Sequence, residues 1–508
     1  MGAMGMMRFG CCRRRWFGRG GWLAAALLLG QFAAAAAGRL TLNFNPDWKF
    51  LKADPAGAFE NAFDDRGWMN VSTPHTFNDT DTFDDWSLSG HRGEQNQWSG
   101  RTWYRKSFTP PAEFRGKKIF LEFEAARQVA EVYLNGKLLG VCKTGFTPFG
   151  FDLTAQLRFG ETNVLAVMCD NRFMKDPWAA DGPGEPGRTN GAGGKLAELA
   201  AKFNAQIPEA LNQLQADQIP WNNPHWHPAH GGIYRNVYLH VTDPLHISLP
   251  LYSFLQTVGP YVFASEISTQ SAVVNLQVPV ENSRGSNENL ELRAELFTGD
   301  GKSVLTLAQA GELAAGAKRE FALSGKLARP AFWSPAQPNL YRVVCSVLVN
   351  GAVVDAAEIP LGIRSANWSL ATGFSLNGHH LKLHGWGQKP TGEWPGLGAA
   401  LPDWLHFYTL RLMKEAGGNF VRWGHCAAGP ASLMAADRLG LVIDQPGVDG
   451  ESDTRGAAWT LRVSAFRDTL IYFRNHPSIL LWEGGNQKVT REHARELRAL
   501  VEKLLAEP

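Results

Sequence analysis

The chain has 508 residues, of which 44% are hydrophobic and 19% charged, and it carries a net charge of +2 at neutral pH. That length is too great for one hydrophobic core and predicts about three domains, while the near balance of charge excludes the global basic field that would favour nucleic acid or a membrane surface. The 18 Trp and 29 Phe suit β-rich cores and equally the stacking of sugar rings on flat apolar faces, so composition leaves both uses open.

At the N-terminus, Arg8 and Arg13 to Arg15 precede an apolar run from Trp22 to Ala37, and Ala35-Ala36-Ala37 supplies the small residues a signal peptidase needs. Residues 1–37 therefore read as a cleaved export signal, which predicts a periplasmic or secreted protein. No later run approaches membrane-spanning length. Cys11 and Cys12 leave with the signal, and Cys142, Cys169, Cys345 and Cys426 remain. An oxidising compartment allows a Cys142 to Cys169 disulfide; isolated buried cysteines are the alternative.

From 40 to 243 the chain shows short alternating strands broken by turn signals, as in Lys118 to Phe123 and in Val129 to Leu134 followed by Asn135-Gly136, which predicts an antiparallel sandwich. An insertion at 172–221 is first Gly/Pro-rich and then predicts a helix from Lys195 to about Gln218, split by Pro208. Such a segment reads as a lid or as surface decoration. His225, His227 and His230 follow it, but no Cys, Asp or Glu lies between them and prolines at 224 and 228 break the segment, so loop packing is expected and no metal. From 244 to 361 alternating strands return, in Val273 to Val280, Leu290 to Leu296 and Tyr341 to Val349, with the spacing of an immunoglobulin-like β-sandwich.

The period changes from 362 to 508. Phe374 to Gly378 reads as a tight turn into a strand at Leu381 to Leu383. A helix at Leu405 to Ala416, a strand at Asn419 to Arg422, a helix at Ser432 to Leu439, a strand at Leu441 to Asp444 and a helix at Trp459 to Arg474 follow. The last strand, Ile479 to Trp482, is apolar on both faces and leads through Glu483 and two glycines to Asn486-Gln487. This alternation predicts parallel β/α units with right-handed crossovers. A closed eight-stranded barrel needs about 250 residues and about 145 follow Gly362, so an incomplete (β/α)8 TIM barrel is expected.

Several stretches together resemble glycoside hydrolase family 2, the family of β-galactosidases, β-glucuronidases and β-mannosidases. Phe63 to Trp68 leading to Pro74-His75, Trp103 to Phe108 leading to Val132 to Gly136, and the closing Gly231 to Leu239 are similar to its N-terminal jelly roll. Phe332 to Pro335 and Pro338 to Tyr341 are similar to the marker before its barrel. Asn475 to Gln487 resembles its fourth barrel strand, which ends in an Asn-Glu pair whose Glu is the acid/base. Here that pair is Asn486-Gln487. The resemblance implies a multidomain β plus α/β protein: a jelly-roll β-sandwich, an immunoglobulin-like β-sandwich, then the barrel. It also implies a carbohydrate partner, hydrolysis of O-glycosyl bonds, and no cofactor.

By the same resemblance, Arg422 and His425 match an Arg-x-x-His pair that positions the catalytic carboxylate and the sugar, and Asn486 contacts the substrate. An amide at Gln487 cannot supply a proton at neutral pH. The third strand ends in Asp444-Gln445 where Asp-Glu is expected, and Gly385 to Lys389 departs from the family's Asn and His. Retaining glycosidases need two carboxyls about 5 to 5.5 Å apart. Glu483 is the substitute acid on offer, although on a regular strand it lies about 13 Å below Gln487 and would more simply be an ion-paired core residue, with Arg422 as partner. A bulge at Gly484-Gly485 would raise it to the rim. Asp449, Glu451, Asp453 and Glu393 read as solvated rim charges or displaced acids. A carbohydrate-binding protein without hydrolysis, and a structural adhesion module built from the two sandwiches, are the competing readings.

Overall fold

The computed structural model describes residues 38–78, 98–173, 214–222, 230–394, 396–450 and 453–505. The export signal, most of the insertion with its expected helix up to residue 213, and His225 and His227 lie outside them; the end of that helix is a short 3-10 turn, Ala216–Gln218. Among the described residues no helix is long and apolar enough to cross a membrane.

Two antiparallel sheets form the first sandwich. One has four strands in the order Leu40–Asn43, Val237–Thr242, Lys118–Phe123, Phe149–Asp152. The other has six, in the order Met69–Val71, Trp48–Leu51, Arg101–Phe108, Asn163–Asp170, Val129–Leu134, Lys137–Cys142. Asn135 and Gly136 have φ of 52° and 81° and join strands paired Leu134 to Lys137, as a two-residue hairpin with positive φ at both positions requires. Trp48 and Val167 from one sheet and Leu121, Phe123 and Leu239 from the other meet in one core. The chain's return at Val237–Thr242 inserts between Leu40–Asn43 and Lys118–Phe123 and ties the two ends of the sandwich together.

The second sandwich follows the same logic. Along Ser271–Asn282 every second residue is buried, so that Ala272, Val274, Leu276, Val278 and Val280 face Leu292, Val343 and Ile359 of the opposing sheet. Cys142, Cys169, Cys345 and Cys426 are all buried thiols outside any disulfide, so the disulfide alternative is not the one adopted.

Four parallel strands follow, β1 (Gly385–Gln388), β2 (Phe420–Trp423), β3 (Val442–Pro446) and β4 (Ile479–Glu483), hydrogen-bonded in that order. They alternate with helices α1 (Asp403–Glu415), α2 (Pro430–Leu439), α3 (Gly456–Phe473) and α4 (Arg491–Leu504). Val421, Trp423 and Ile443 pack under Leu410, Leu433, Ala436 and Phe473 of the helices. On the opposite face Phe420, Val442 and Leu480 pack against Trp333, Phe374 and Leu376 and seal the lower end of the sheet.

Two expected elements differ. Leu381 to Leu383 is not a strand: Gly373–Leu376 pairs with His379–His380 in a hairpin, and Leu381 and Leu383 pack as irregular chain against the Trp333 cluster. The first parallel strand starts later, at Gly385, where a Cβ would lie 1.7 Å from the Phe420 carbonyl oxygen, so only glycine lets the two backbones approach. The second difference is that β4 stops at Glu483. Arg462 Nη2 donates to the Gly484 carbonyl at 2.9 Å, and a Cβ at Gly485 would lie 2.2 Å from the same nitrogen. The chain leaves the sheet there, and Asn486 and Gln487 stand in the following loop.

Candidate active site

Alternation along β2 and β3 puts Arg422 above Phe420 and Asp444 above Val442, and the register sets Arg422 opposite Asp444. Glu483 reaches the same face through an irregularity. The pairing runs from Ile443 with Ile479 to Asp444 with Leu481, so Leu480 is an extra residue in β4. A shift of one residue exchanges the two faces of a strand. Without it Glu483 would point to the helices. The bulge therefore lies at Leu480, ahead of the glycine pair where the sequence suggested one.

At the carboxyl ends of these strands the side chains converge. Arg422 Nε donates to Glu483 Oε2 at 2.7 Å and Nη2 to Oε1 at 2.6 Å, a bidentate fork, and Nη2 also donates to Asn486 Oδ1 at 3.0 Å. Asp444 Oδ2 is 4.0 Å from the same Nε, too far for a hydrogen bond. Burial pushes the Asp444 carboxyl up to about 6, helped by the Glu483 charge and opposed by Arg422. His425 is pushed down to about 4, first by burial and then by the Arg422 and Lys389 cations. It is thus a neutral imidazole at pH 7, suited to hydrogen-bonding a hydroxyl.

The loop after β4 is anchored from below. The Asn486 amide donates to Asp449 Oδ2 at 2.5 Å, and that oxygen is 3.2 Å from Arg462 Nη2, both side chains being 2% exposed.

The structure thus brings Arg422, Glu483 and Asn486 into direct contact and sets His425 within their field. Gln487 is exposed in the loop past the strand end, not on the strand as the sequence suggested. Among the other acids, Asp449 is a buried partner of Arg462 rather than a solvated rim charge. Asp453 pairs with His493 at 2.7 Å, Glu393 accepts from the Thr391 hydroxyl, and Glu451 lies outside the described residues. Asp444 and Arg462 belong to the constellation although sequence reasoning gave neither a role. The signal for Asp444 was present, since it ends the strand beside Arg422; Arg462 sits in mid-helix and gave none.

Comparison with known proteins agrees with this architecture. Residues 61–192 match the glycosyl hydrolase 2 galactose-binding domain-like model, and 258–364 match glycosyl hydrolases family 2. A β-glucuronidase of Formosa agariphila is 45% identical over 90% of this chain and 43% of its own length. A β-galactosidase of Bacteroides ovatus is 28% identical over 88% of this chain and 46% of its own. A solved β-glucuronidase from glycoside hydrolase family 2 superposes with a TM-score of 0.84 at 43% identity, over 94% of this chain and 46% of that one. The chain spans about half the length of the curated relatives it matches. With both sandwich domains matched in order and the likeness continuing through the β/α region, the chain belongs to glycoside hydrolase family 2.

Proposed function

We propose that the protein is an exported glycoside hydrolase that cleaves the O-glycosyl bond of a β-linked sugar. Its two sandwiches take the roles of the family's jelly-roll and immunoglobulin-like domains, and its four β/α units those of the opening part of a (β/α)8 barrel. Glu483 serves the leaving oxygen, Arg422 and Asn486 fix its orientation, and the neutral His425 faces the sugar hydroxyls. Gln487, the amide at the family's acid/base position, contributes no more than a hydrogen bond. The observation that carries this reading is the forked Arg422 to Glu483 pair at the carboxyl ends of parallel strands, where β/α folds place their chemistry. The relatives named β-glucuronidase and β-galactosidase support a pyranoside substrate, and the 45% identity makes a glucuronide the first to test.

The experiment is to incubate the protein with aryl β-D-glucuronide and aryl β-D-galactoside while measuring sugar binding by calorimetry. Release of the aryl alcohol that is lost in Glu483→Gln supports the proposal, and release unchanged by that substitution refutes the role of Glu483. Saturable binding without release favours the carbohydrate-binding reading, which the Gln487 amide supports. Neither release nor binding overturns both.

A further inference from the structure

We propose that Asp444 and Glu483 share one proton across Arg422, with Asp444 holding it at rest and passing it to Glu483 for delivery to the leaving oxygen. This rests on the role given to Glu483 above and adds a positioning residue that acts through it.

Two carboxyls face one contacting cation. Arg422 spends both arms of its fork on Glu483 and stands 4.0 Å from Asp444 Oδ2. The side chains of Asp444 and Glu483 are 15% and 10% exposed, and Asp444 Oδ1 is buried with no hydrogen-bond partner among the described residues. An ionised carboxylate in that setting would be uncompensated, whereas a protonated one is tolerated. Among the described residues, the other elements around the pair place no further cation in contact with Asp444. The floor is apolar, made of Phe420, Val442, Leu480 and Trp333. Asp449 and Arg462 neutralise each other beneath Asn486. Burial and the Arg422 and Lys389 charges hold His425 below its ordinary value, so it adds no positive charge near neutrality.

One guanidinium, two carboxyls and one proton make a balanced unit, in which the proton belongs to the pair. The transfer conserves charge: the Asp444 O–H bond breaks, an O–H bond forms on Glu483, and Arg422 exchanges its fork from Glu483 to the newly ionised Asp444. A buttressing aspartate that only holds Arg422 in place would instead be ionised and hydrogen-bonded to it, and the 4.0 Å separation shows no such bond.

The test is carbon-13 NMR of the full chain with aspartate carboxyls labelled, which requires no substrate. Asp444 is expected to titrate near 6; burial also raises Asp355 and Asp468, so its signal is identified as the one that vanishes in Asp444→Asn. In Glu483→Gln it should move down toward the ordinary carboxylate range, because the like charge is gone and Arg422 is released. If Asp444→Asn does not fold, Asp444→Glu removes the aspartate signal while keeping the carboxyl and makes the assignment. An Asp444 signal in the ordinary range in the wild type, or one unmoved by Glu483→Gln, overturns the proposal and leaves the glycosidase reading standing. Absence of hydrolysis leaves the titration unaffected. Where hydrolysis is measured, Asp444→Asn should lower kcat with KM held, and a change confined to KM would also overturn it.

Discussion

Replacing Glu124 with Gln should stabilise the protein at alkaline pH. Glu124 follows the strand Lys118–Phe123 of the first sandwich and is 6% exposed. Its Oε2 accepts from the Asn236 amide at 3.3 Å and from Asn236 Nδ2 at 3.1 Å, and the same Nδ2 donates to Asp403 Oδ1 of α1 at 2.9 Å. Two residues earlier Glu122 accepts from Tyr472 of α3 at 2.6 Å and contacts His240 Nε2 at 2.7 Å. Although burial works against its charge, these bonds hold the Glu122 carboxyl below its ordinary value. Among the described residues no cation forms an ion pair with Glu124, and the Arg235 charge only partly offsets what opposes its ionisation. Burial, then the charges of Glu122 and Asp403, push it up to about 8.

The direction in pH follows from linkage. Between the ordinary value of 4.5 and about 8 the folded state keeps a proton that the unfolded chain has lost. Stability is therefore fully present below 4.5 and declines as pH rises through 8. At about 1.4 kcal/mol per pH unit the ceiling on that decline is about 5 kcal/mol. An effective dielectric nearer 20 than 4 reduces the expected figure to about 2 kcal/mol. Gln keeps the acceptor for both Asn236 donors and never ionises. In urea unfolding, Glu124→Gln should match the wild type at pH 4.5 and exceed it by about 2 kcal/mol at pH 9. Equal stability of the two proteins at both pH values, or a deficit of the variant that grows with pH, would refute a neutral Glu124 at this seam.

Gln487→Glu alters an exposed loop residue, so a stability change within about 0.5 kcal/mol and no gain in hydrolysis over the wild type are expected; a clear gain in aryl glycoside cleavage in this variant would place the acid at 487. Gly385→Ala drives a Cβ into the Phe420 carbonyl, a backbone atom, and should cost about 2 kcal/mol or more by overpacking, visible as a lower urea midpoint. His425, held near 4 in the fold, should show no imidazole titration by proton NMR above pH 5, and its contribution to stability should fall as pH drops below 6.5.

What the sequence could and could not reveal divides along the range of the interactions. Strand periodicity, the Asn135-Gly136 turn and the strand-helix rhythm after 400 are local, and they were legible. So was the pairing of Arg422 with Glu483, because opposite charges at the ends of nearby buried strands have few other partners. The orientation of Glu483 was not, since it depends on the extra residue at Leu480, which packs with Trp333 and Phe374 of distant segments. Asp449 looked like a loop charge because Arg462, its partner across a helix, has no periodic signature. The Glu124 seam was invisible for the same reason, joining residues 124, 236 and 403.

Gln487 shows the limit most clearly. Its identity could be read from the sequence, but its location past the strand end could not, and the two have different consequences. An amide on the strand would have meant a site with its acid deleted in place. An amide on the loop, with Glu483 turned inward and Asp444 beside it, leaves a pair of carboxyls at the strand ends. If the site donates a proton, that pair is where the proton resides.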